Sequence, residues 1–131
     1  MGFKWGNRSI QRTTGVNDTL MNCATLALKN SQHDMTIPWM GGLRTAEQQN
    51  RIFKTGASTL DGFTRKSYHQ TGNALDVIPV HGGYSNDKAF RHFAQCMFNA
   101  WQEMEVKGYR LEWGGHWQDF LDQPHWQIIK L

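Results

Sequence analysis

The sequence contains few of the residues on which covalently stapled domains depend. Its 131 residues include only two cysteines and three prolines. Two cysteines form one bridge at most, far short of the disulfide framework of small secreted domains. A chain of this length buries roughly two thirds of its unfolded surface, so a core forms without such staples. We therefore expect Cys23 and Cys96, which fall in apolar helical segments, to be buried thiols.

Long apolar runs and basic clusters are also missing. No stretch approaches the ~20 apolar residues of a membrane span, and the first residues lack the apolar run of a signal peptide. We therefore expect synthesis in the cytoplasm and no stable membrane insertion. The net charge is +3, with nine basic against four acidic residues in 1–66. Because these basic residues are not clustered with aromatic ones, we expect a solvated surface and no nucleic-acid partner.

The periodicity of apolar residues predicts a small α+β domain. Residues 1–16 have no sustained period and are expected to form an extended arm or short turns. Three amphipathic helices and a mainly antiparallel sheet are predicted beyond them, with residues 1–131 forming one domain. The predicted helices begin at residue 17 or 18, 45, and 85 or 86 and end near 30, 56 and 108; the predicted strands are 35–40, 74–80, 109–113 and 125–131.

A histidine and a carboxylate lie on either side of a turn near the middle of the chain. His69 and Asp76 are separated by Gly72-Asn73, a dipeptide typical of turns. The turn can fold the histidine back towards the strand that begins near Ala74. We therefore expect the two side chains to meet at one point.

The C-terminal segment offers a third ligand for a metal ion. Catalytic zinc sites use three protein ligands and leave the fourth position to water, whose pKa falls to about 7. His125 begins the last apolar run, and Asp122 stands three residues before it. We expect His69, Asp76 and His125 to bind the metal and Asp122 to act as the base. Short motifs of this kind are weak evidence on their own.

Two sequence motifs together resemble a known family of zinc peptidases. They contain the three expected ligands and the expected base, and their order and separation along the chain are a specific signal of that family. The motifs are Ser67-x-His69-x-x-Gly72-x-Ala74-x-Asp76, and Trp113-Gly114-Gly115-x-Trp117 with Asp122-x-Pro124-His125. The family is that of the D-alanyl-D-alanine carboxypeptidases and L-alanyl-D-glutamate endopeptidases, which includes small phage endolysins. The resemblance covers nearly the whole chain and implies the fold shared by Hedgehog domains and D-Ala-D-Ala peptidases, with no separate wall-binding domain.

The resemblance also implies roles for individual residues. It implies one Zn²⁺ per chain, held by His69, Asp76 and His125, with Asp122 as general base and acid. Arg44 lies in a stretch similar to one upstream of the zinc motif in these peptidases. Its implied role is to bind substrate or to stabilise charge on the carbonyl oxygen. His116 is a departure, because relatives often carry an acidic residue there.

The expected activity is hydrolysis of the L-alanyl-D-glutamate bond in peptidoglycan stem peptides by a monomeric phage endolysin. Such an enzyme would be made in the host cytoplasm and act in the periplasm once the inner membrane is breached. A D-Ala-D-Ala carboxypeptidase or dipeptidase would use the same metal and base. A non-catalytic zinc-binding module and a metal-free α+β domain are further alternatives. The carboxylate of Asp122 beside the metal site favours an enzyme.

Overall fold

A computed structural model describes residues 2–131, in which there are four α-helices and five β-strands. This is the predicted α+β class, with one helix more than expected. In the described range, no helix is long and apolar enough to cross a membrane. The helices are α1 (Asn7–Arg12), α2 (Asp18–Asn30), α3 (Ala46–Lys54) and α4 (Asp87–Glu103), and the strands are β1 (Met35–Thr36), β2 (Ala74–Asp76), β3 (Ile78–Pro79), β4 (Tyr109–Trp113) and β5 (His125–Lys130).

The strands form two antiparallel sheets. The larger has the order β2-β5-β4, and the smaller pairs β1 with β3. Strand β5, at the C-terminal end, is therefore the central strand of the larger sheet. Its register places His125 directly opposite Asp76 and Trp126 opposite Trp113. Directly opposed residues in an antiparallel pair have their Cβ atoms about 4.5–5.5 Å apart, so the register alone brings two predicted ligands together.

The three predicted helices begin at side-chain caps. Asn17 accepts a hydrogen bond at the start of α2, and Asn86 does so at the start of α4. Thr45 and Gln48 form a capping box at the start of α3. Each cap satisfies backbone N–H groups that have no partner inside the helix and stabilises it by about 1 kcal/mol. Helix α4 ends at Glu103, several residues before the predicted end near residue 108.

Helix α1 was not predicted. It has six residues, its N-cap Gly6 provides no side-chain hydrogen bond, and its only buried residue is Ser9. Ile10 is 57% exposed. The helix therefore has neither the apolar stripe nor the cap from which a helix is predicted. Ser9 Oγ accepts from Ile37 N at 3.0 Å, which fixes α1 against the segment that follows β1.

Helices α2 and α4 pack with the larger sheet around a single core. The apolar stripe of α4 is buried or partly buried, with Phe93 1% and Met97 0% exposed. Trp126 of β5 packs against this stripe and stacks on Trp113 at 5.6 Å between ring centroids. Full burial of one such side chain contributes about 1.5–3 kcal/mol. Cys23 and Cys96 are buried and unbridged, as predicted.

The strand predicted over 35–40 is much shorter, because only Met35–Thr36 pairs. Pro38 lacks a backbone N–H, and Met40 has a positive φ of 60°, so the ladder cannot continue. The chain then passes through Gly42, where a Cβ would stand 2.1 Å from the carbonyl oxygen of Arg12. This close approach places residues 41–44 beside the buried side of the candidate site described below.

Candidate metal centre

A short 3-10 turn positions His69. Ser67 and Gln70 cap the turn Tyr68–Thr71 reciprocally, and Gly72 ends it in the left-handed region with φ +77°. A Cβ on Gly72 would lie 2.5 Å from the carbonyl oxygen of Gly15, so the position favours glycine on two grounds. The chain reverses at Gly72 as predicted, and His69 is left only 1% exposed.

The structure brings the three predicted ligands to one point. His69 Nε2 lies 3.2 Å from His125 Nδ1. Asp76 Oδ1 lies 3.3 Å from His69 Nε2 and 3.4 Å from His125 Nδ1. Within residues 2–131, this is the one group of three or more His, Cys, Asp or Glu ligand atoms close enough to hold a metal ion.

The three distances fit a tetrahedral ion. Atoms bound about 2.0–2.1 Å from one tetrahedral centre stand about 3.3–3.4 Å apart, which is close to the spacing of all three pairs. In addition, Asp76 Oδ1 is buried and accepts no hydrogen bond from any described residue. A buried carboxylate oxygen without a partner is costly, and a cation between the three atoms would satisfy it. The residues present therefore fit a divalent metal.

Hydrogen bonds on the outer side of each imidazole determine which nitrogen faces the others. His69 Nδ1 lies 2.9 Å from the carbonyl oxygen of Gly42. A carbonyl only accepts, so Nδ1 carries the proton and neutral His69 has its lone pair on Nε2. His125 Nε2 donates to Gln127 Oε1 at 2.7 Å, which leaves the lone pair of neutral His125 on Nδ1. Both lone pairs therefore point towards Asp76 Oδ1.

Arg44 holds the other oxygen of Asp76. Its NH2 donates to Asp76 Oδ2 at 2.8 Å, its Nε to the carbonyl of Met40 at 2.7 Å and its NH1 to Gln49 Oε1 at 3.0 Å. The Arg44 side chain is only 10% exposed. This pairing turns Asp76 so that Oδ1 faces the histidines. The role in substrate binding implied for Arg44 stays a prediction, although Arg44 does line the cleft in front of the ligands.

Gln49 supports Arg44 from behind and was not predicted. It is fully buried in α3, and its Nε2 donates to Ser58 Oγ and to the carbonyl of Leu60. It thereby joins the polar loop that follows α3 to the Arg44 and Asp76 pair. No feature of the sequence distinguishes it from the partly buried glutamine beside it, Gln48, at the capping position.

Burial and charge shift the pKa values of the three ligands in different directions. Burial would raise the pKa of Asp76, but the adjacent imidazoles of His69 and His125 lower it well below its usual range. Burial, together with the charges of Arg44 and His125, lowers the pKa of His69, although Asp76 acts to raise it. For His125, burial is outweighed by Asp76, Gln127 and Asp122, so its pKa is raised. Asp76 is therefore a permanent anion beside two imidazoles.

Asp122 lies in the same cleft but outside the group of three ligands. Burial, and then the charge of Asp76, raise its pKa to about 6. Its backbone N–H donates to the carbonyl of Gly114 at 3.0 Å, and a Cβ on Gly114 would stand 2.2 Å from the Asp122 carbonyl oxygen. The first glycine of the Trp-Gly-Gly motif thus allows the loop bearing Asp122 to approach the sheet.

The cleft has a volume of about 470 Å³ and a rim of aromatic side chains. Trp39 and Tyr84 are 70% and 64% exposed, and Trp117 tilts over the His125 ring at 5.1 Å. His116 does not line the cleft but stacks on Phe98 at 5.7 Å between ring centroids, and it is not part of the ligand group.

Two further polar residues, Gln127 and Glu112, stand behind His125. Gln127 Nε2 donates to Glu112 Oε1 at 3.0 Å, and Trp117 Nε1 donates to the same oxygen at 3.0 Å. Neither residue was predicted to belong to the site. Strand periodicity could have indicated Gln127, because residues two apart on a strand share a face.

Residues 1–127 match the family described as phage L-alanyl-D-glutamate peptidase. The L-alanyl-D-glutamate peptidase of Escherichia phage T5 is 32% identical over 129 residues, which cover 94% of this chain and 90% of that protein. The corresponding peptidase of Listeria phage A118 is 38% identical over 86 residues, covering 66% of this chain but only 28% of that protein.

A solved structure has the same fold. The crystal structure of the L-Ala D-Glu endopeptidase ChiX of Serratia marcescens superposes with a TM-score of 0.80 at 28% identity, covering 98% of this chain and 91% of that one. The family match extends over both motifs that carry the ligands and Asp122. The chain therefore belongs to the phage L-alanyl-D-glutamate peptidase family.

Proposed function

We propose that this protein is a zinc-dependent peptidase that hydrolyses the L-alanyl-D-glutamate bond of peptidoglycan stem peptides. The observation that carries the proposal is the convergence of His69, Asp76 and His125 at 3.2–3.4 Å, with Asp122 in the same cleft. The choice of bond follows the named activity of the phage relatives.

The donor set favours zinc over a hard cation such as magnesium. Two imidazoles and one carboxylate are the ligands of several catalytic zinc sites, whereas magnesium prefers oxygen ligands and water. One ion per chain would be held by His69 Nε2, His125 Nδ1 and Asp76 Oδ1. Zinc at such a site polarises a carbonyl group and lowers the pKa of water to about 7.

Asp122 would transfer the proton. A pKa of about 6 leaves its carboxylate largely ionised at neutral pH yet basic enough to accept a proton from the attacking water. The same carboxyl group would then donate that proton to the leaving amine of the D-glutamate residue. A general base of this kind contributes about 10²- to 10⁴-fold to the rate.

Arg44 would hold Asp76 and also face the substrate. A guanidinium has five N–H groups, and three of those of Arg44 are used by Met40, Gln49 and Asp76. One N–H on each terminal nitrogen is left, and Arg44 lines the cleft. We assign these two groups to the carbonyl oxygen of the scissile bond, where charge develops during attack.

The biological setting that fits this activity is phage lysis. The protein would act as a monomeric endolysin with a single catalytic domain spanning residues 1–131. It would be made in the host cytoplasm and reach the wall after the inner membrane is breached. The support for this setting is the phage origin of the relatives and the similarity across most of the chain.

The proposal is tested by digesting purified peptidoglycan and identifying the new termini by mass spectrometry. New N-terminal D-glutamate is expected, with loss of cleavage on chelation and recovery with added zinc. His125→Ala should lose both zinc and cleavage. His81→Ala, an exposed histidine outside the site, is the matched control. Release of D-Ala-D-Ala would support the carboxypeptidase or dipeptidase alternative, and cleavage that survives exhaustive chelation would refute the metal mechanism.

A further inference from the structure

The hydrogen bonds behind His125 form a connected series in which each donor and each acceptor is determined. His125 Nε2 contacts Gln127 Oε1 at 2.7 Å, and Gln127 Nε2 contacts Glu112 Oε1 at 3.0 Å. Trp117 Nε1 donates to the same Glu112 oxygen. His125 and Gln127 are 6% and 7% exposed, so water does not readily replace these partners.

The carboxylate of Glu112 determines which groups donate and which accept in this series of hydrogen bonds. A carboxylate has acceptors only, so Gln127 must present its NH₂ group to Glu112. The amide oxygen of Gln127 then faces His125, and it can only accept. His125 must therefore carry a proton on Nε2, and the neutral ring has its lone pair on Nδ1.

We propose that Glu112 and Gln127 are positioning residues that set the tautomer and ring orientation of His125 so that Nδ1 binds the metal. If the amide of Gln127 were reversed, its NH₂ group would donate to Nε2, and neutral His125 would carry its proton on Nδ1, where it would block the metal. Such a reversal would also place two oxygen atoms against each other at Glu112. The inference rests on the proposed metal site.

Trp117 links this series of hydrogen bonds to the substrate cleft. Its indole N–H donates to Glu112 while its ring tilts over His125 at 5.1 Å and lines the cleft. The indole therefore confines the His125 ring from the open side, while Gln127 holds it from the buried side. Partners of this kind commonly change metal affinity about 10- to 100-fold when removed.

The test measures zinc affinity by competition with a chromophoric chelator. Gln127→Met keeps the size of the side chain and removes both hydrogen bonds, so zinc affinity should fall about 10- to 100-fold. Arg110→Gln is the matched control, because Arg110 is exposed and contacts only the outer oxygen of Glu112, at 3.2 Å. Its zinc affinity should equal that of the original protein.

Nitrogen-15 NMR of the metal-free protein reports the tautomer of His125, which would not change if Gln127 had a purely structural role. Neutral His125 should carry its proton on Nε2 in the original protein and should populate both tautomers in Gln127→Met. Unchanged zinc affinity together with an unchanged tautomer in this variant would overturn the inference.

If Gln127→Met does not fold, a double variant that exchanges the glutamine at 127 and the glutamate at 112 tests the same inference. Gln127→Glu alone places two carboxylates together and should weaken zinc binding. Adding Glu112→Gln restores an acceptor facing His125 and a donor facing residue 127, so the double variant should bind zinc more tightly than Gln127→Glu. No recovery in the double variant would overturn the inference. Failure of the unsubstituted protein to bind zinc would instead refute the metal site itself.

Discussion

Replacing Asp122 with asparagine should stabilise the metal-free protein while it slows turnover. The pKa of Asp122 rises from 3.8 to about 6 in the folded state. A raised folded pKa means that the contribution of this group to stability is fully present below the unfolded pKa and is lost as pH rises through about 6. At pH 7 the ionised carboxylate is therefore unfavourable in the folded protein.

The magnitude follows from the size of the shift. About two pKa units at 1.36 kcal/mol each set an upper limit near 3 kcal/mol. We expect Asp122→Asn to raise the free energy of unfolding by about 1–3 kcal/mol at pH 7, because the amide has no charge to desolvate. The gain should be smaller with zinc bound, since a cation attracts the carboxylate. Activity should fall about 10²- to 10⁴-fold with unchanged zinc stoichiometry.

The assay pairs chemical denaturation in the presence of a chelator with peptidoglycan hydrolysis in the presence of zinc. Asp119→Asn is the control, because Asp119 lies on the same loop and is exposed. It should change neither quantity appreciably. An asparagine variant that is less stable than the original metal-free protein would show that ionised Asp122 is not unfavourable in the folded state, and one that retains full activity would exclude Asp122 as the base.

Three further predictions concern the same site. Arg44→Met should cost the metal-free protein about 3–5 kcal/mol, measured by denaturation, because buried Asp76 loses its partner; an unaffected variant would contradict this pairing. Gly114→Ala should reduce turnover without loss of zinc, because its Cβ would meet the Asp122 carbonyl, whereas Gly6→Ala, whose Cβ meets nothing within 4 Å, should not. The kcat/KM profile should fall on the acid side with a midpoint at or below about pH 6, since protonated Asp122 cannot act as base; a midpoint above pH 7 would exclude that assignment.

The sequence predicted the site better than it predicted the strands around it. The turn dipeptide between His69 and Asp76 and the apolar run beginning at His125, taken with the resemblance of both motifs to the peptidase family, led to the expectation that the three side chains converge. The antiparallel register between β2 and β5 makes them converge. The capping box at Thr45 and the apolar stripe of α4 are local signals, and both belong to helices that the sequence predicted.

Residues that act through long-range contacts could not be predicted in this way. Gln49 reaches Arg44 and a loop about ten residues away, and Glu112 reaches Gln127 from the neighbouring strand. The role of Glu112 depends on which strands pair and in which register, and that of Gln49 depends on how the loop after α3 folds back. No local pattern encodes either arrangement. Helix α1 was missed because its buried residue is a serine, which contributes no apolar period.

In the proposed metal site, His69, Asp76 and His125 bind one zinc ion. Anomalous diffraction at the zinc absorption edge, from crystals grown with one equivalent of zinc, locates that ion. We expect a single strong peak about 2.0–2.2 Å from His69 Nε2, His125 Nδ1 and Asp76 Oδ1. A zinc peak bound by other residues, or none between these three atoms, would contradict it.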